Sequence, residues 1–236
     1  MKQQRERLGT LRQKIAKDCS SAYGAAAMLL PPYFIRYTLY TMLVVDVEAS
    51  GTEAGKHSIV SVGALDLTNP SNRFYEECRV WDGAHIMDEA LAVNGFTKAQ
   101  ITDSKKQSES DLIHAFLTWS DGLEERTLAG QNVSFDRDFL KAAAERAGHT
   151  EWPFAYRTID THTLAYMHMI GRGLQPPVRH KRSALDLDAV LNYCGIPEEP
   201  QPHNALTGAL SHAEVVSRLL YGRKLLPEFT EFEIPW

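Results

Sequence analysis

The chain has 236 residues, 44% hydrophobic and 23% charged, with a formal net charge of −5. That composition supports a buried core and excludes a protein that coats nucleic acid through bulk positive charge. Three scattered cysteines, Cys19, Cys78 and Cys194, form no CxxC pair, which excludes a zinc or disulfide framework and fits reduced thiols in a cytoplasmic protein.

The first forty residues are basic and polar, with Lys2, Arg5, Arg7, Arg12, Lys14 and Lys17 against Glu6 and Asp18. An apolar run from Ser21 to Leu30 comes next and is stopped by Pro31-Pro32, too short to span a bilayer. The basic region is too long for a signal peptide, and no small-x-small cleavage site succeeds it. The expected organisation is an N-terminal extension over 1–41, loosely docked or partly helical, one folded domain over 42–222, and a tail over 223–236. No membrane partner is expected.

The domain opens on an apolar run, Met42 to Val45, that reads as a buried strand. Its continuation is Asp46-Val47-Glu48-Ala49-Ser50-Gly51, and residues two apart on a strand share a face, so Asp46 and Glu48 project together. Adjacent carboxylates repel and are costly to bury unless a cation sits between them. Small Ala49, Ser50 and Gly51 then permit a ligand or another backbone to come close. The plainer alternative is a pair of acids at a solvated strand end.

Gly51 to His57 reads as a loop, and Ile59 to Leu67 as a second strand ended by Asn69-Pro70-Ser71-Asn72. Arg73 to Val80 reads as a third strand, completing an antiparallel meander. Asp88 to Gly95 is a short helix, with a polar loop from Phe96-Thr97 onward. Leu112, Ile113, Phe116 and Leu117 make a helical stripe within Glu109 to Trp119. Leu128 to Gly130 is a fourth strand, Phe135 to Ala147 a helix, and Arg157 to Ile159 a fifth strand with Asp160 opening the next helix. Leu185 to Tyr193 is a helix stopped at Gly195. Asn204 to Tyr221 is an amphipathic helix with Ala209, Ala213, Val216 and Leu220 on one face. This order gives an α/β domain whose mixed sheet is covered by helices.

Two further segments carry candidate chemistry. Gln131 to Asp136 comes after the fourth strand and opens a helix. There Asp136 is either a first-turn acid that suits the helix dipole or a third carboxylate beside the first strand. Asn132 is placed to tie that turn through side-chain hydrogen bonds. His203 stands at the entry to the last helix, either as a loop residue or as a general base for an attacking water.

Asp46-x-Glu48-x-x-Gly51, then Asn132-x-x-Phe135-Asp136, then His203-x-Ala205 together resemble the DEDDh 3′→5′ exonucleases, the DnaQ-like group of the ribonuclease H-like superfamily. The likeness runs from about Met42 to Tyr221. It includes Ala90 to Thr97, similar to the family's A-x-x-V-x-G-I-T, and the stretch Leu185 to Leu191 with Cys194-Gly195-Ile196. The resemblance implies a three-layer α/β/α domain around a mixed sheet of about five strands. It also implies phosphodiester hydrolysis with two Mg²⁺ or Mn²⁺ ions per site. Asp46 would bridge both ions, Glu48 hold the inner one, Asp136 support the second and His203 deprotonate the nucleophile. Ala49, Ser50, Gly51 and Asn132 would face the substrate. The implied partner is a single-stranded DNA or RNA 3′ end, with a polymerase or other DNA-processing protein as a companion.

One departure bears on the whole site. The family carries a metal-binding aspartate five residues after the histidine, and here that position is Gly208, with no aspartate from Asn204 to Trp236. A missing direct ligand implies impaired or altered activity, since even outer-shell losses cost about 10–100-fold. The alternative is a catalytically silent module that binds nucleic-acid ends or a partner protein. His212, one helical turn on, is either a solvated residue or a group that reaches toward the vacancy, while Glu214 lies on another face. Arg179-His180-Lys181-Arg182, with Arg172 nearby, reads as a solvated loop or as a phosphate-gripping flank.

Overall fold

The computed structural model describes residues 41–236, and the expectations for residues 1–40 lie outside them. The apolar run becomes β1 (Leu43–Ala49), which pairs antiparallel with β2 (Ile59–Asp66). β2 pairs antiparallel with β3 (Arg73–Glu77), completing the meander. The third strand stops at Glu77 and not at Val80, because the Arg79 amide turns away to donate to the Gln107 carbonyl.

Two short helices come next, α1 (Asp88–Asn94) and α2 (Lys98–Ile101). The second falls where the sequence suggested only a loop. A reciprocal capping box between Thr97 and Gln100 holds its single turn. Beyond it lie α3 (Glu109–Ser120), β4 (Leu128–Gly130), α4 (Ser134–Arg146), β5 (Ile159–Asp160) and α5 (Thr161–Gly171). Asp160 ends β5 and caps α5 by accepting from the His162 amide.

The basic run is not a loop. It forms a small hairpin, β6 (Val178–Arg179) and β7 (Arg182–Ser183), turned at His180 and Lys181, which both adopt positive φ. α6 (Leu187–Tyr193) starts two residues later than expected, behind an Asp186 cap, and α7 (Ala205–Tyr221) closes the order.

The main sheet runs β3-β2-β1-β4-β5, with β4 parallel to β1 and β5 parallel to β4. Both of its faces are apolar, and the period of two along each strand divides the side chains between them. Val45 and Val47 face Phe116 of α3 and Leu140 of α4, while Val44 and Ala129 face Ala209, Ala213 and Val216 of α7. The layers are therefore helix, sheet, helix.

α7 departs from the amphipathic helix expected of it. Leu220 is exposed, whereas Ser211, His212, Glu214, Ser217 and Arg218 are buried. The sheet covers one side of the helix and α5, α6 and the C-terminal residues cover the other, so it is central rather than amphipathic.

The C-terminal tail docks on this same domain. Arg218 is fully buried, pairs with Glu214 at 2.7 Å and donates to the carbonyls of Cys194, Phe229 and Phe232. Glu214 in turn accepts from the Leu225 and Leu226 amides. Trp236 stacks on Tyr193. A buried ion pair is tolerable when its remaining lone pairs and protons are satisfied, as they are here.

One close approach sets the geometry around Asp46. Gly63 on β2 lies opposite Asp46, and a Cβ on it would sit 2.1 Å from the Ala205 carbonyl carbon. Only glycine lets the first turn of α7 press onto the sheet at this point. Among the described residues no helix is long and apolar enough to cross a membrane.

Candidate active site

Asp46 and Glu48 project from the end of β1 toward the side covered by α7, and both are partly exposed. Asp136 comes to them from the first turn of α4 and is buried. β4 pairs with β1 only as far as Val44, so the Val47 amide has no partner from that strand. Asp136 Oδ1 takes that hydrogen bond, at 2.9 Å, and so pins the helix to the strand end.

The turn between β4 and α4 is built differently from the expectation. Asn132 has φ of 50°, and its main-chain carbonyl accepts from the Phe135 amide at 2.9 Å. The left-handed backbone, which asparagine tolerates, makes this turn without side-chain bonds.

His203 sits at the rim. Its amide donates to the Val93 carbonyl at 3.0 Å, and its side chain is 31% exposed. Asn204 then caps α7 by accepting from the Leu206 and Thr207 amides.

These groups line one open pocket of about 180 Å³ that includes Asp46, Glu48, Asn132, Asp136 and His203. Ala49, Ser50 and Gly51 are not among its walls. All three are buried. Ser50 bonds the His85 carbonyl and the Ser58 amide, and a Cβ on Gly51 would lie 2.1 Å from the His57 ring. Their small size accommodates neighbouring protein.

Two walls of the pocket were given little or no weight in the sequence. Glu199, in the loop before α7, is only 7% exposed. Its Oε1 has no hydrogen-bond partner, and its Oε2 lies 3.9 Å from His203 Nδ1. His212 is not solvated but 1% exposed. Its ring nitrogens make no well-aligned hydrogen bond, although the Val45 carbonyl lies near. The signal for His212 was its place among buried positions of α7. For Glu199 no periodicity existed to read.

Crowding sets the electrostatics. Burial first, then the charges of Asp136, Glu48 and Glu199, push the Asp46 carboxyl well above the usual carboxylate range. Burial and the Glu199 charge raise Glu48 to about 7. Asp136 is raised to about 8 by burial and, to a lesser extent, by the charges of Glu48 and Asp160. Burial also raises Glu199 and lowers His212 to about 4.

No group of three or more His, Cys, Asp and Glu side chains among the described residues stands ready-arranged around a metal ion. The donor chemistry nevertheless suits one. Four carboxylates share a pocket whose described walls include no lysine or arginine, and one buried carboxylate oxygen is unpartnered. Hard divalent cations take oxygen ligands of this kind, and like charges spread apart when none is bound.

A sequence-family model described as Exonuclease (RNase_T) matches residues 43–216. Ribonuclease T of Yersinia pestis is 27% identical over 200 residues, covering 78% of this chain and 86% of the relative. Ribonuclease T of Escherichia coli K12 is 28% identical over 144 residues, 55% and 66% of the two chains. Among solved structures, E. coli exonuclease I in complex with a dA16 oligonucleotide superposes with a TM-score of 0.61 at 17% identity, over 78% of this chain. This chain spans 41% of that enzyme. The nuclease domain of 3′hExo, a DEDDh family member bound to rAMP, superposes with a TM-score of 0.60 at 19% identity, over 81% of this chain and 96% of that one. The fold is thus the ribonuclease H-like α/β fold expected from the sequence.

Proposed function

This chain belongs to the exonuclease family, and we propose that it is a divalent-metal-dependent 3′→5′ exonuclease acting on single-stranded DNA or RNA ends. The observation that carries the reading is the convergence of Asp46, Glu48 and Asp136 with His203 on one open pocket at the end of β1. Among the solved structures with this fold, exonuclease I is held with a dA16 oligonucleotide.

Asp46, Glu48 and Asp136 would hold two Mg²⁺ or Mn²⁺ ions, which supply Lewis-acid polarisation of the scissile phosphate and lower the pKa of water. Asp136 fixes the spacing between β1 and α4 through its bond to the Val47 amide. His203, on the exposed rim, takes the proton of the attacking water at a ring nitrogen, a role that imidazole fills well because it readily accepts a proton and gives it up again. Its backbone tie to Val93 keeps the ring at the pocket edge where a nucleic-acid end can reach it.

If position 208 stood alone, the missing aspartate would imply a slow enzyme or a silent end-binding module. The cytoplasmic setting is supported by two unpaired buried thiols, Cys78 and Cys194. The polymerase companion gains no support. The reading is tested by degradation of a single-stranded oligonucleotide with Mn²⁺. Degradation should be stopped by EDTA and lost in Asp46→Asn. Metal-independent cleavage that survives Asp46→Asn would sink it.

A further inference from the structure

Resting on that reading, we propose that Glu199 supplies the fourth carboxylate of the cation site, reaching in from the loop before α7 to stand where a side chain at position 208 would otherwise stand.

Gly208 provides the first observation. A Cβ built there lies 2.2 Å from Asp46 Oδ2, 2.8 Å from Asp46 Cγ and 3.3 Å from Glu199 Oε1. The space a family aspartate would need is therefore already filled. Asp46 leans into it from the strand and Glu199 borders it from the loop. Glycine inside a helix costs about 1 kcal/mol against alanine, and here its absent side chain makes room for both carboxylates.

The second observation concerns Glu199 alone. Only 7% of its surface is accessible, and its Oε1 is without a hydrogen-bond partner. Its neighbour Glu198 is exposed and accepts from Asn192. Two adjacent glutamates in one loop thus have opposite fates. The loop presents the second inward although water would solvate it better outside. Burying a carboxylate with one oxygen unpartnered, beside Asp46 and Glu48, is unfavourable by itself. Cation coordination reverses the sign, because four carboxylates balance two divalent ions and three do not. The other oxygen, Oε2, faces His203 Nδ1 at 3.9 Å, while Oε1 borders the same space at Gly208 as Asp46 Oδ2 does. The acid that α7 itself carries does not offer this. Glu214 is committed to Arg218 and to two backbone amides.

The test uses the full chain, stripped with EDTA and titrated with Mn²⁺ by calorimetry in the absence of nucleic acid. Glu199→Gln, which keeps the shape and removes the charge, should weaken Mn²⁺ binding by about 10–100-fold or more, as Asp46→Asn should. Glu199→Asp, which keeps the charge on a shorter arm, should bind more tightly than Glu199→Gln. Glu53→Gln, at an exposed pair with Lys56, should bind as the unaltered chain does. Folding of each variant is checked by urea unfolding in EDTA. If Glu199→Gln and Glu199→Asp both bind Mn²⁺ like the unaltered chain while Asp46→Asn does not, the metal site stands and the role of Glu199 falls. If the unaltered chain takes up no Mn²⁺, both fall together.

Discussion

Replacing Gly208 with alanine sets two effects of opposite sign against each other. Helix propensity alone favours alanine over glycine by about 1 kcal/mol inside α7. Sterics oppose it, since the new Cβ would lie 2.2 Å from Asp46 Oδ2 and 2.8 Å from Asp46 Cγ, where real contacts stay beyond 3 Å. A two-torsion side chain whose Cγ is itself in collision cannot escape by moving its tip. Overpacking of this kind costs about 1–3 kcal/mol. The clash should therefore win, with Gly208→Ala less stable than the unaltered chain by up to about 2 kcal/mol in EDTA. Gly208→Asp should be worse, because it adds a charge to a pocket already holding four carboxylates. Urea unfolding at fixed pH measures both, and Mn²⁺ titration should show weakened binding in each as Asp46 is displaced. A gain in stability of about 1 kcal/mol for Gly208→Ala, with Mn²⁺ binding intact, would refute the steric reasoning. Restoration of the family aspartate is accordingly not expected to improve the enzyme.

Metal-free stability should depend on pH with a definite sign. Glu48 is raised from 4.5 to about 7, so the folded state holds its proton more tightly than the unfolded chain does. Its contribution is present below pH 4.5 and is lost as pH rises through 7, a loss of roughly 3 kcal/mol that Mn²⁺ at pH 8 should offset. A flat urea midpoint between pH 5 and 8 in EDTA would contradict this. Arg218→Met leaves Glu214 buried and unpaired and releases the tail carbonyls, so unfolding free energy should fall by about 3–5 kcal/mol. A loss below about 1 kcal/mol would show that the tail is held by other interactions. Neutralising Arg179 and Arg182 on the exposed hairpin should flatten the salt dependence of single-strand binding, by about 0.7 in log–log slope for each phosphate no longer neutralised. An unchanged slope would return the hairpin to a plain solvated role.

Much of the fold and site was legible because it depends on local periodicity. Asp46 and Glu48 share a face by the two-residue strand repeat, and the meander arises from apolar runs separated by Asn69-Pro70 and similar breaks. Asp136 was readable as a carboxylate at a helix start, though the amide it binds belongs to a strand 89 residues away in sequence. The features that were not legible depend on tertiary position. His212 looked solvated because a helix flanked by serines and a glutamate reads as half polar, yet α7 is enclosed on both sides and satisfies Glu214 and Arg218 internally. Glu199 lies in a proline-flanked loop with no repeat to orient it, so nothing local separates it from exposed Glu198. At Gly51, read as a place where a ligand or another backbone could come close, the group that approaches is the His57 ring of the same chain.

Directional, metal-dependent trimming of a nucleic-acid end is checked best by a time course on a 5′-labelled single-stranded oligonucleotide with Mn²⁺, with a parallel series in EDTA. A ladder of labelled products shortening one nucleotide at a time, absent in EDTA, is the predicted result. Immediate release of the 5′ label as a mononucleotide, or a ladder that persists in EDTA, would contradict it.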